Sequence, residues 1–310
     1  MTNLAFVFPG QGSQKIGMLA DLAEHNPIIQ KTFTEASDVL GYDMWHLIQQ
    51  GAQEDINLTQ RTQPILLTCS VAIWRLWNEK NGALPSQMAG HSLGEWSALV
   101  CANVIDFADG LRIVEARGKY MQQAVPVGQG AMAAIIGLEY QAILDACFEA
   151  SSLGVVDAVN FNAPGQVVIA GSNDAVERAM EMCKSAGAKR ALPLPVSAPF
   201  HTSLMKPAAD NLAEMVNAVT FRALEVPIMH NVHANNENDP QVIKKLMLEQ
   251  IYSPVRWVDC VKQLKNSGAS TLIECGPGKV LSGLSKRIDR ELIALATESA
   301  ADFDAVLTTI

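Results

Sequence analysis

The first apolar segment of the chain, residues 4–8, reads L-A-F-V-F and ends at a Pro-Gly turn. A half-solvated strand alternates apolar and polar residues, whereas a continuous apolar strand is typical of a parallel sheet that is covered on both faces. Helical patterns follow at residues 17–50 and 60–80, and a short strand is predicted at 87–89. This alternation of strand and helix predicts the α/β class with a parallel sheet.

The middle of the chain has a different order of elements. Strands are predicted at residues 131–138, 155–161, 166–170 and 188–196, and helices at 139–150 and 173–186. The order β-α-β-β-α-β is the ferredoxin-like pattern. Pro126 and Gly128 precede this segment and a Pro-rich stretch at 195–199 follows it, and such clusters mark boundaries.

After residue 200 the α/β alternation returns, with strands predicted at 226–232, 271–275 and 292–296. We therefore predict a large α/β domain made of residues 1–126 and 198–310. A small ferredoxin-like domain, residues 127–197, is inserted into it. A cleft between two such domains is the place where a ligand site is expected.

The composition excludes several classes of protein. A chain of 310 residues that is 49% hydrophobic can bury a large core, which excludes a disordered protein. The net charge of −9, from 23 basic and 32 acidic residues, argues against a nucleic-acid surface. We expect neither a membrane span nor a signal peptide. The six cysteines are far apart and indicate neither zinc nor a disulfide framework, so we expect a cytoplasmic protein without metal.

Residues 90–94 read G-H-S-L-G, a G-x-S-x-G pattern between the short predicted strand and a helix that starts near Leu93. The glycines allow a sharp turn that holds the Ser92 hydroxyl out of the sheet, as in the α/β-hydrolase fold. The start of the helix supplies N–H groups and a positive dipole end, which suit an oxyanion. The alternative is an ordinary Gly-rich turn, but the strand–turn–helix context favours a nucleophile.

The Gly-rich loop at residues 10–17 is close to two nucleotide-binding motifs and matches neither. A dinucleotide fingerprint needs a third glycine where Lys15 stands, and a P-loop needs Lys and Ser or Thr where Met18 and Leu19 stand. We therefore expect no phosphate site here. Either the loop directs a backbone N–H at Ser92, or it is a tight turn without a further role.

Six histidines are candidates for the general base that Ser92 would need. His91 adjoins the serine, but a sharp turn directs it elsewhere. His201 follows the Pro-rich exit from the inserted domain, at the edge of the expected cleft, and it is our candidate. The alternative is a structural histidine. No acidic residue is indicated as the third member of a triad.

Arg117 is the charged residue with the most unusual predicted environment. On a helix over residues 111–124, it lies in the middle of the apolar face. A guanidinium stays charged, and its burial without a partner is costly, so we expect a buried anion beside it. A protein carboxylate is the commoner partner. The functional alternative is a substrate carboxylate that is bound bidentately.

Five segments together resemble the family of malonyl-CoA:acyl carrier protein transacylases, which includes the acyltransferase modules of polyketide synthases. They are residues 8–14 (F-P-G-Q-G-S-Q), residues 90–95 (G-H-S-L-G-E), Arg117, Phe200-His201 and residues 276–278 (G-P-G). The resemblance covers essentially the whole chain, including the inserted domain. It implies an α/β-hydrolase-like large domain with a parallel sheet and an inserted ferredoxin-like domain.

The resemblance also implies catalytic roles for matching positions. Ser92 matches the nucleophile and His201 its base. The backbone N–H groups of Gln11 and Leu93 match the oxyanion hole. Gln250 matches the residue whose backbone carbonyl orients the histidine, so that a Ser-His dyad is implied in place of a triad.

Further positions match residues around the substrate. Arg117 matches the arginine that binds the malonyl carboxylate, and Gln11 lies beside the same pocket. Asn160 and Asn162 match positions near the pocket. Phe200 is closer to the malonyl-type segment before the histidine than to the methylmalonyl type, and the segment as a whole matches neither.

The function implied is ping-pong transfer of malonyl from malonyl-CoA to the pantetheine thiol of acyl carrier protein, which supplies fatty acid synthesis. CoA is then a substrate and product, and no cofactor is expected. A serine esterase or thioesterase could use the same serine and histidine, but it has no use for Arg117. A non-catalytic nucleotide-binding module is disfavoured by the incomplete Gly-rich motifs.

Acyl carrier proteins in such systems are acidic, so a chain of charge −9 needs a local basic patch to bind one. A helix from about Gly278 would carry Lys279, Lys286 and Arg290 on one stripe, with Arg287 beside it. The predicted apolar face of that helix comprises Val280, Leu281, Leu284 and Ile288. Lys189 and Arg190 of the inserted domain would form the other lip, the opposite side of the cleft between the two domains. The alternative is a solvated helix face, and we expect a monomer.

Overall fold

The computed structural model describes residues 3–196 and 198–310. Ser197, the last residue of the predicted inserted domain, lies outside the described residues. The described strands are β1 (Leu4–Phe8), β2 (Gln87–Gly90), β3 (Gly130–Ile136), β4 (Val156–Ala163), β5 (Gln166–Ser172), β6 (Arg190–Pro193), β7 (Ile228–His230), β8 (Asn235–Asn236), β9 (Thr271–Glu274) and β10 (Ile293–Ala296).

The described α-helices are α1 (Ala20–His25), α2 (Pro27–Leu40), α3 (Met44–Gln50), α4 (Gln53–Ile56), α5 (Thr59–Glu79), α6 (Leu93–Cys101), α7 (Phe107–Gln123), α8 (Tyr140–Ala150), α9 (Asn173–Ser185), α10 (Lys206–Ala218), α11 (Pro240–Glu249), α12 (Trp257–Asn266), α13 (Val280–Ile288) and α14 (Ala300–Thr309). Short 3₁₀ helices lie at Ser151–Leu153, Ser203–Met205 and Gln250–Tyr252. None of the described helices is long and apolar enough to cross a membrane.

The larger sheet has the strand order β10-β9-β1-β2-β7-β8. Its strands pair in parallel, apart from the two-residue edge strand β8, which is antiparallel to β7. All five residues of β1 are buried, as the continuous apolar run predicted. In a parallel sheet the carboxyl ends of the strands meet at one edge. The segments that follow β1, β2, β7 and β9 therefore lie side by side.

The smaller sheet is antiparallel and has the order β4-β5-β3-β6. Numbered within the segment, this order is 2-3-1-4, and the helices α8 and α9 separate the strands in the predicted β-α-β-β-α-β sequence. The sheet and these two helices enclose an apolar cluster of their own. The mixed α/β fold with a parallel sheet is confirmed, while the division of the chain at residues 127 and 197 stays a prediction.

The two sheets are joined at β4. Phe161 N–H donates to the carbonyl of Val255 at 3.0 Å, and Val255 N–H donates to the carbonyl of Val159 at 2.8 Å. These bonds attach the inserted sheet to the segment between Gln250 and α12. The inserted sheet is thereby held beside the carboxyl edge of the larger sheet.

Several predicted bounds differ from the structure. The helical stretch at 17–50 is three helices, because Pro27 starts α2 and Gly41, with φ 76°, ends it. The strand predicted at 188–196 is shorter, since β6 comprises only Arg190–Pro193, with one further backbone bond from Leu194 to Met132 of β3.

The helix predicted from Gly278 was also too long. Helix α13 ends at Ile288, so Arg290 lies beyond it and does not share a helical stripe with Lys286. Val280 was placed on the apolar face, but it is 51% exposed, because it is the first residue of the helix.

Candidate active site

Ser92 lies in the turn between β2 and α6, at the carboxyl edge of the larger sheet. Its backbone is in a strained conformation, with φ 52° and ψ −107°. A Cβ on Gly90 would overlap the backbone of Gly94, and a Cβ on Gly94 would overlap the carbonyl oxygen of Phe8. Both glycines of the motif are therefore required by space, and the sharp turn predicted from the sequence is confirmed.

Asn231, which directly follows β7, holds this turn in place. Its Oδ1 accepts from the N–H of Ser92 at 2.7 Å, and its Nδ2 donates to the carbonyl of Gly90 at 2.7 Å. The sequence analysis did not single out Asn231. Its position at the end of a parallel strand was the available signal, because β7 pairs with β2 and their ends lie together.

Ser92 and His201 are in hydrogen-bond contact, with 2.8 Å between Oγ and Nε2. The other ring nitrogen, Nδ1, lies 2.8 Å from the backbone carbonyl of Gln250. A carbonyl oxygen only accepts, so Nδ1 carries the proton and Nε2 presents a lone pair to the serine. This is the geometry of a serine nucleophile with its general base, and the base is oriented by a carbonyl instead of an acid.

The environment of His201 favours the neutral imidazole. Burial lowers the pKa of His201 to about 3, and the nearby guanidinium of Arg117 contributes to the decrease, while the carbonyl of Gln250 opposes it. An unprotonated Nε2 is the form that accepts the serine proton. His201 itself has φ 66°, a conformation rare for a residue with a side chain, in the turn before α10.

Arg117 is buried in α7, with 1% of its surface exposed. Its Nη1 donates to Gln63 Oε1 at 2.8 Å, and its Nη2 donates to Gln250 Oε1 at 2.9 Å and to Ser92 Oγ at 3.2 Å. These acceptors are neutral oxygens. Among the described residues no carboxylate pairs directly with the guanidinium, and its Nε has no acceptor. The described contacts of the guanidinium therefore do not include the protein carboxylate that we considered as a partner.

Close packing of two helices positions Arg117. A Cβ on Gly118 would lie 2.6 Å from the carbonyl oxygen of Thr59, so α7 crosses the start of α5 in direct backbone contact. This approach brings Gln63 of α5 within reach of Arg117. Burial lowers the pKa of Arg117 to about 10, and Glu95 opposes the decrease. The guanidinium therefore remains charged at neutral pH, with its charge directed at the serine.

The backbone N–H groups of Gln11 and Leu93 flank the serine turn. Leu93 is the first residue of α6, where helical N–H groups lack intrahelical acceptors. Gln11 follows β1, which pairs with β2 up to Phe8 and Gly90, so the two turns are neighbours. Across residues 3–196 and 198–310, neither N–H has a protein acceptor. Both donors are available to an oxyanion.

The model of the acyl transferase domain family matches residues 5–294 of the chain. The chain belongs to this family. It is 57% identical over 307 residues to the malonyl CoA-acyl carrier protein transacylase of Escherichia coli strain K12, a match that covers 99% of both chains.

Two solved structures are similar over nearly the whole chain. An acyl carrier protein S-malonyltransferase from Vibrio cholerae has a TM-score of 0.96 and 58% identity, covering 98% of this chain and all of that one. A malonyl-transacylase in complex with a type II PKS acyl carrier protein has a TM-score of 0.98 and 54% identity, covering 99% of both chains.

In this acyl transferase, the two predicted asparagines of the inserted sheet have different surroundings. Asn162 Oδ1 lies 2.8 Å from His91 Nε2, so the histidine next to the nucleophile is bonded away from it, as predicted. Asn160 lies on the same strand, β4, and its buried Oδ1 has no partner among the described residues. Asn162 thus contacts the serine turn through His91, while a role for Asn160 at the substrate stays a prediction.

Besides Asn231 and Gln63, the sequence analysis missed two side chains of the acyl transferase site. Glu95, quoted as part of G-H-S-L-G-E, is buried one helical turn after Ser92 and contacts the buried His230 of β7. Gln250 was considered only for its backbone carbonyl, but its side-chain carboxamide also bridges Arg117 and Glu95. No cluster of three or more potential metal ligands occurs in the part of the chain that the structure describes.

Proposed function

We infer that this acyl transferase moves a malonyl group from malonyl-CoA to the pantetheine thiol of acyl carrier protein through a malonyl-serine intermediate. The relatives carry this activity in their names, and one of them is bound to an acyl carrier protein. The observation that carries the proposal is Arg117. Its buried cation pairs with no carboxylate of the described residues, lies 3.2 Å from Ser92 Oγ and is positioned for a carboxylated acyl group.

In the first half-reaction, Ser92 Oγ attacks the thioester carbonyl of malonyl-CoA while His201 Nε2 takes the hydroxyl proton. The N–H groups of Gln11 and Leu93 receive the oxyanion. As the tetrahedral intermediate collapses, the carbon–sulfur bond breaks, and the imidazolium returns its proton to the departing CoA thiolate. The products are malonyl-Ser92 and CoA, with His201 neutral again.

The second half-reaction is the same chemistry with a different thiol. His201 Nε2 takes the proton from the pantetheine thiol of the carrier protein, and the sulfur attacks the malonyl ester. The serine leaves as an alkoxide and recovers its proton from the imidazolium. Throughout both steps Arg117 binds the malonyl carboxylate, so no part of the cycle needs a metal or another cofactor in this proposal.

A serine esterase remains the alternative chemistry for the same Ser92 and His201. An ordinary ester carries no carboxylate at this position, so an esterase would gain nothing from burying Arg117. The similarity to named transferases over the whole chain also disfavours it. A test is acid precipitation of the protein after incubation with radiolabelled malonyl-CoA. We expect acid-stable label that holo-acyl carrier protein discharges, whereas release of free malonate would support the esterase.

We further propose that the carrier protein docks at one end of the inserted sheet. Arg287 of α13 donates to the carbonyl of Pro164 and to Gln166, in the turn between β4 and β5. The stem of Lys189 packs against Gly137, which bonds to Gly165 in the same turn. The two predicted lips therefore converge on this turn. The exposed basic residues on the two sides are Lys189 and Arg190 at the inserted sheet, and Lys286, Arg287 and Arg290 in and after α13.

The charge of the chain explains why this local patch would matter. Two acidic proteins repel at long range, so that encounter depends on the basic patch. The partners that we propose are acyl carrier protein and malonyl-CoA. We also propose that the enzyme is a cytoplasmic monomer and that it supplies fatty acid synthesis.

A further inference from the structure

Glu95 is a buried acidic residue that contacts neither Ser92 Oγ nor His201. Its Oε1 lies 2.6 Å from Nδ1 of the fully buried His230. Its Oε2 accepts from the N–H of Asn231 at 3.1 Å and from Nε2 of Gln250 at 2.7 Å. A carboxylate is an acceptor at both oxygens, and the backbone N–H of Asn231 is necessarily a donor. Glu95 therefore presents only acceptors to Gln250.

This restriction determines which way the Gln250 carboxamide points. Nε2 must face Glu95, and the same nitrogen also donates to the carbonyl of Ser92 at 2.9 Å. Oε1 then faces Arg117 Nη2 at 2.9 Å. The opposite orientation would bring the amide NH₂ against the guanidinium, donor to donor, and the amide oxygen against a carboxylate. Glu95, together with the carbonyl of Ser92, thus excludes the flipped amide.

The orientation of Gln250 in turn fixes Arg117 without neutralising it. Gln63 Oε1 and Gln250 Oε1 hold Nη1 and Nη2, and Nη2 also reaches Ser92 Oγ. Both side-chain amide oxygens are uncharged, so the guanidinium is held in place while its charge stays available. A direct Glu95–Arg117 ion pair would have satisfied that charge inside the protein. The interposed carboxamide prevents this.

We propose that Glu95, supported by His230, is a positioning residue that sets selectivity for carboxylated acyl groups by fixing the Gln250 carboxamide against Arg117. The proposal rests on the function inferred above, because it concerns how Arg117 receives the malonyl carboxylate. The proposal gives Gln250 two separate roles. The backbone carbonyl orients His201, and the side chain orients Arg117, so loss of the side-chain contact affects malonyl transfer more than transfer of an uncharged acyl group.

The test compares acylation by malonyl-CoA and acetyl-CoA in Glu95→Met and Glu95→Gln, which are similar in size. Met has no comparable acceptor. The Gln amide oxygen can still accept from Asn231 and Gln250, while its NH₂ meets Nδ1 of His230 in the other tautomer. For Glu95→Met we expect the malonyl-to-acetyl rate ratio to fall about tenfold, the loss of one well-placed charged hydrogen bond. For Glu95→Gln we expect most of the parent ratio.

A double-mutant cycle makes the test specific to Arg117. In an Arg117→Ala background, Glu95→Met should change the ratio no further, because its effect passes through the guanidinium. Equal slowing of both substrates by Glu95→Met, or an unchanged ratio in the folded variant, would overturn the proposal. An additive effect in the cycle would also overturn it.

If Glu95→Met does not fold, the Gln250→Met variant tests the proposal in its place. It keeps the backbone carbonyl that holds His201 and removes the carboxamide, so the same fall in the ratio is expected, and an unchanged ratio overturns the proposal. The parent enzyme separates this outcome from failure of the proposed function. A parent that forms no malonyl-enzyme contradicts the function itself, whereas a selective parent with indifferent variants contradicts only the role of Glu95.

Discussion

At the scale of single residues, Ser92 Oγ contacts one hydrogen-bond donor and one acceptor, and both favour loss of the hydroxyl proton. Arg117 Nη2 donates to it at 3.2 Å and favours a developing alkoxide, while His201 Nε2, at 2.8 Å, accepts its proton. The guanidinium also lowers the pKa of His201, so it opposes the imidazolium that proton transfer creates. In the proposed reaction, a malonyl carboxylate bound to Arg117 would offset this repulsion. A carboxylated substrate would thereby improve the base that acts on it.

The proposed role of His201 as a base leads to a first prediction. His201→Ala should slow formation of the acyl-enzyme by about 10²–10⁴-fold, the usual contribution of a positioned base. Ser92→Ala should abolish covalent labelling altogether. The matched control is His46→Ala, since His46 is exposed on α3. Labelling that persists in Ser92→Ala would mean that another residue carries the acyl group.

The second prediction concerns Arg117 and substrate choice. Arg117→Ala should lower malonyl transfer relative to acetyl transfer by about 10- to 100-fold, because a charged hydrogen bond is worth about 1.5–3 kcal/mol. Acylation by the two CoA esters, measured by rapid quench, gives the ratio. Arg112→Ala is the control, since Arg112 is exposed on the same helix and pairs with Asp109. A folded Arg117→Ala with the parent selectivity would exclude a substrate role.

The third prediction concerns pH. Because the pKa of His201 is lowered to about 3, the base stays unprotonated as pH falls through the usual histidine range. In the parent, kcat/KM for acylation by acetyl-CoA should stay nearly flat from pH 8 to about pH 5. Arg117→Ala removes a neighbouring positive charge, which raises the pKa of His201 and moves the acid limb to higher pH. An acid limb near the ordinary histidine pKa in the parent would contradict this.

At the scale of elements, the β2–α6 connection that carries Ser92 is held by contacts from two other segments, the end of β1 and the residue after β7. The carbonyl of Phe8, at the end of β1, lies where a side chain on Gly94 would be. The N–H of His91 donates to the same carbonyl at 3.0 Å. Asn231, after β7, bonds to both sides of Ser92. The strained backbone of Ser92 is maintained by these neighbouring strands.

This crowding predicts opposite effects for two Gly→Ala substitutions. Gly90→Ala should destabilise the fold and abolish acylation, because the added methyl group would overlap the backbone of Gly94. Gly283, in the exposed middle of α13, has no atom within 4 Å of an added Cβ. Gly283→Ala should therefore raise the free energy of unfolding by about 0.5–1 kcal/mol. Chemical denaturation measures both, and equal effects would contradict the crowding argument.

At the scale of the whole molecule, the inserted sheet joins the catalytic edge to the proposed docking surface. Strand β4 bonds to Val255, a few residues after the carbonyl of Gln250 that orients His201. Its turn to β5 contacts Arg287 of α13. The side chain of Glu274 accepts from Leu281 and Ser282 and so fixes the start of α13 beside β9. The basic residues are thereby held by both sheets.

The docking proposal predicts a defect limited to one half-reaction. Lys286→Glu with Arg190→Glu should raise the KM for acyl carrier protein about tenfold at low salt, because opposite charges steer the encounter. Acylation by malonyl-CoA should change little. Added salt should slow the carrier-protein step of the parent more than that of the variant. Lys31→Glu with Lys80→Glu makes the same change in net charge at two exposed positions elsewhere and is the control.

Equal KM values for carrier protein in the Lys286/Arg190 variant and the parent would place the docking surface elsewhere. An equal increase in the Lys31/Lys80 control would assign the effect to net charge. Either result leaves the chemistry at Ser92 unaffected.

The sequence determined those features that depend on local pattern. The continuous apolar run of β1 predicted a doubly covered strand, and the glycines of the serine turn predicted a sharp turn, in which they are required by space. Helical periodicity placed Arg117 on a buried face. Each of these signals is contained within about one element, because burial and backbone geometry repeat with the period of that element. Motif and position made Ser92 and His201 candidates, whereas a dyad in place of a triad was implied only by the resemblance to a known family.

Only the tertiary structure decided which polar groups meet. Asn231 is 139 residues from Ser92, and Gln250 is 155 residues from Glu95, yet both pairs are hydrogen-bonded. The sequence predicted an anion beside Arg117 but could not distinguish a protein carboxylate from a substrate. The fold places a neutral amide there, with the acid behind it. Hydrogen bonds of this kind have no periodicity along the chain, because they arise where the ends of distant strands are brought to one edge of the sheet.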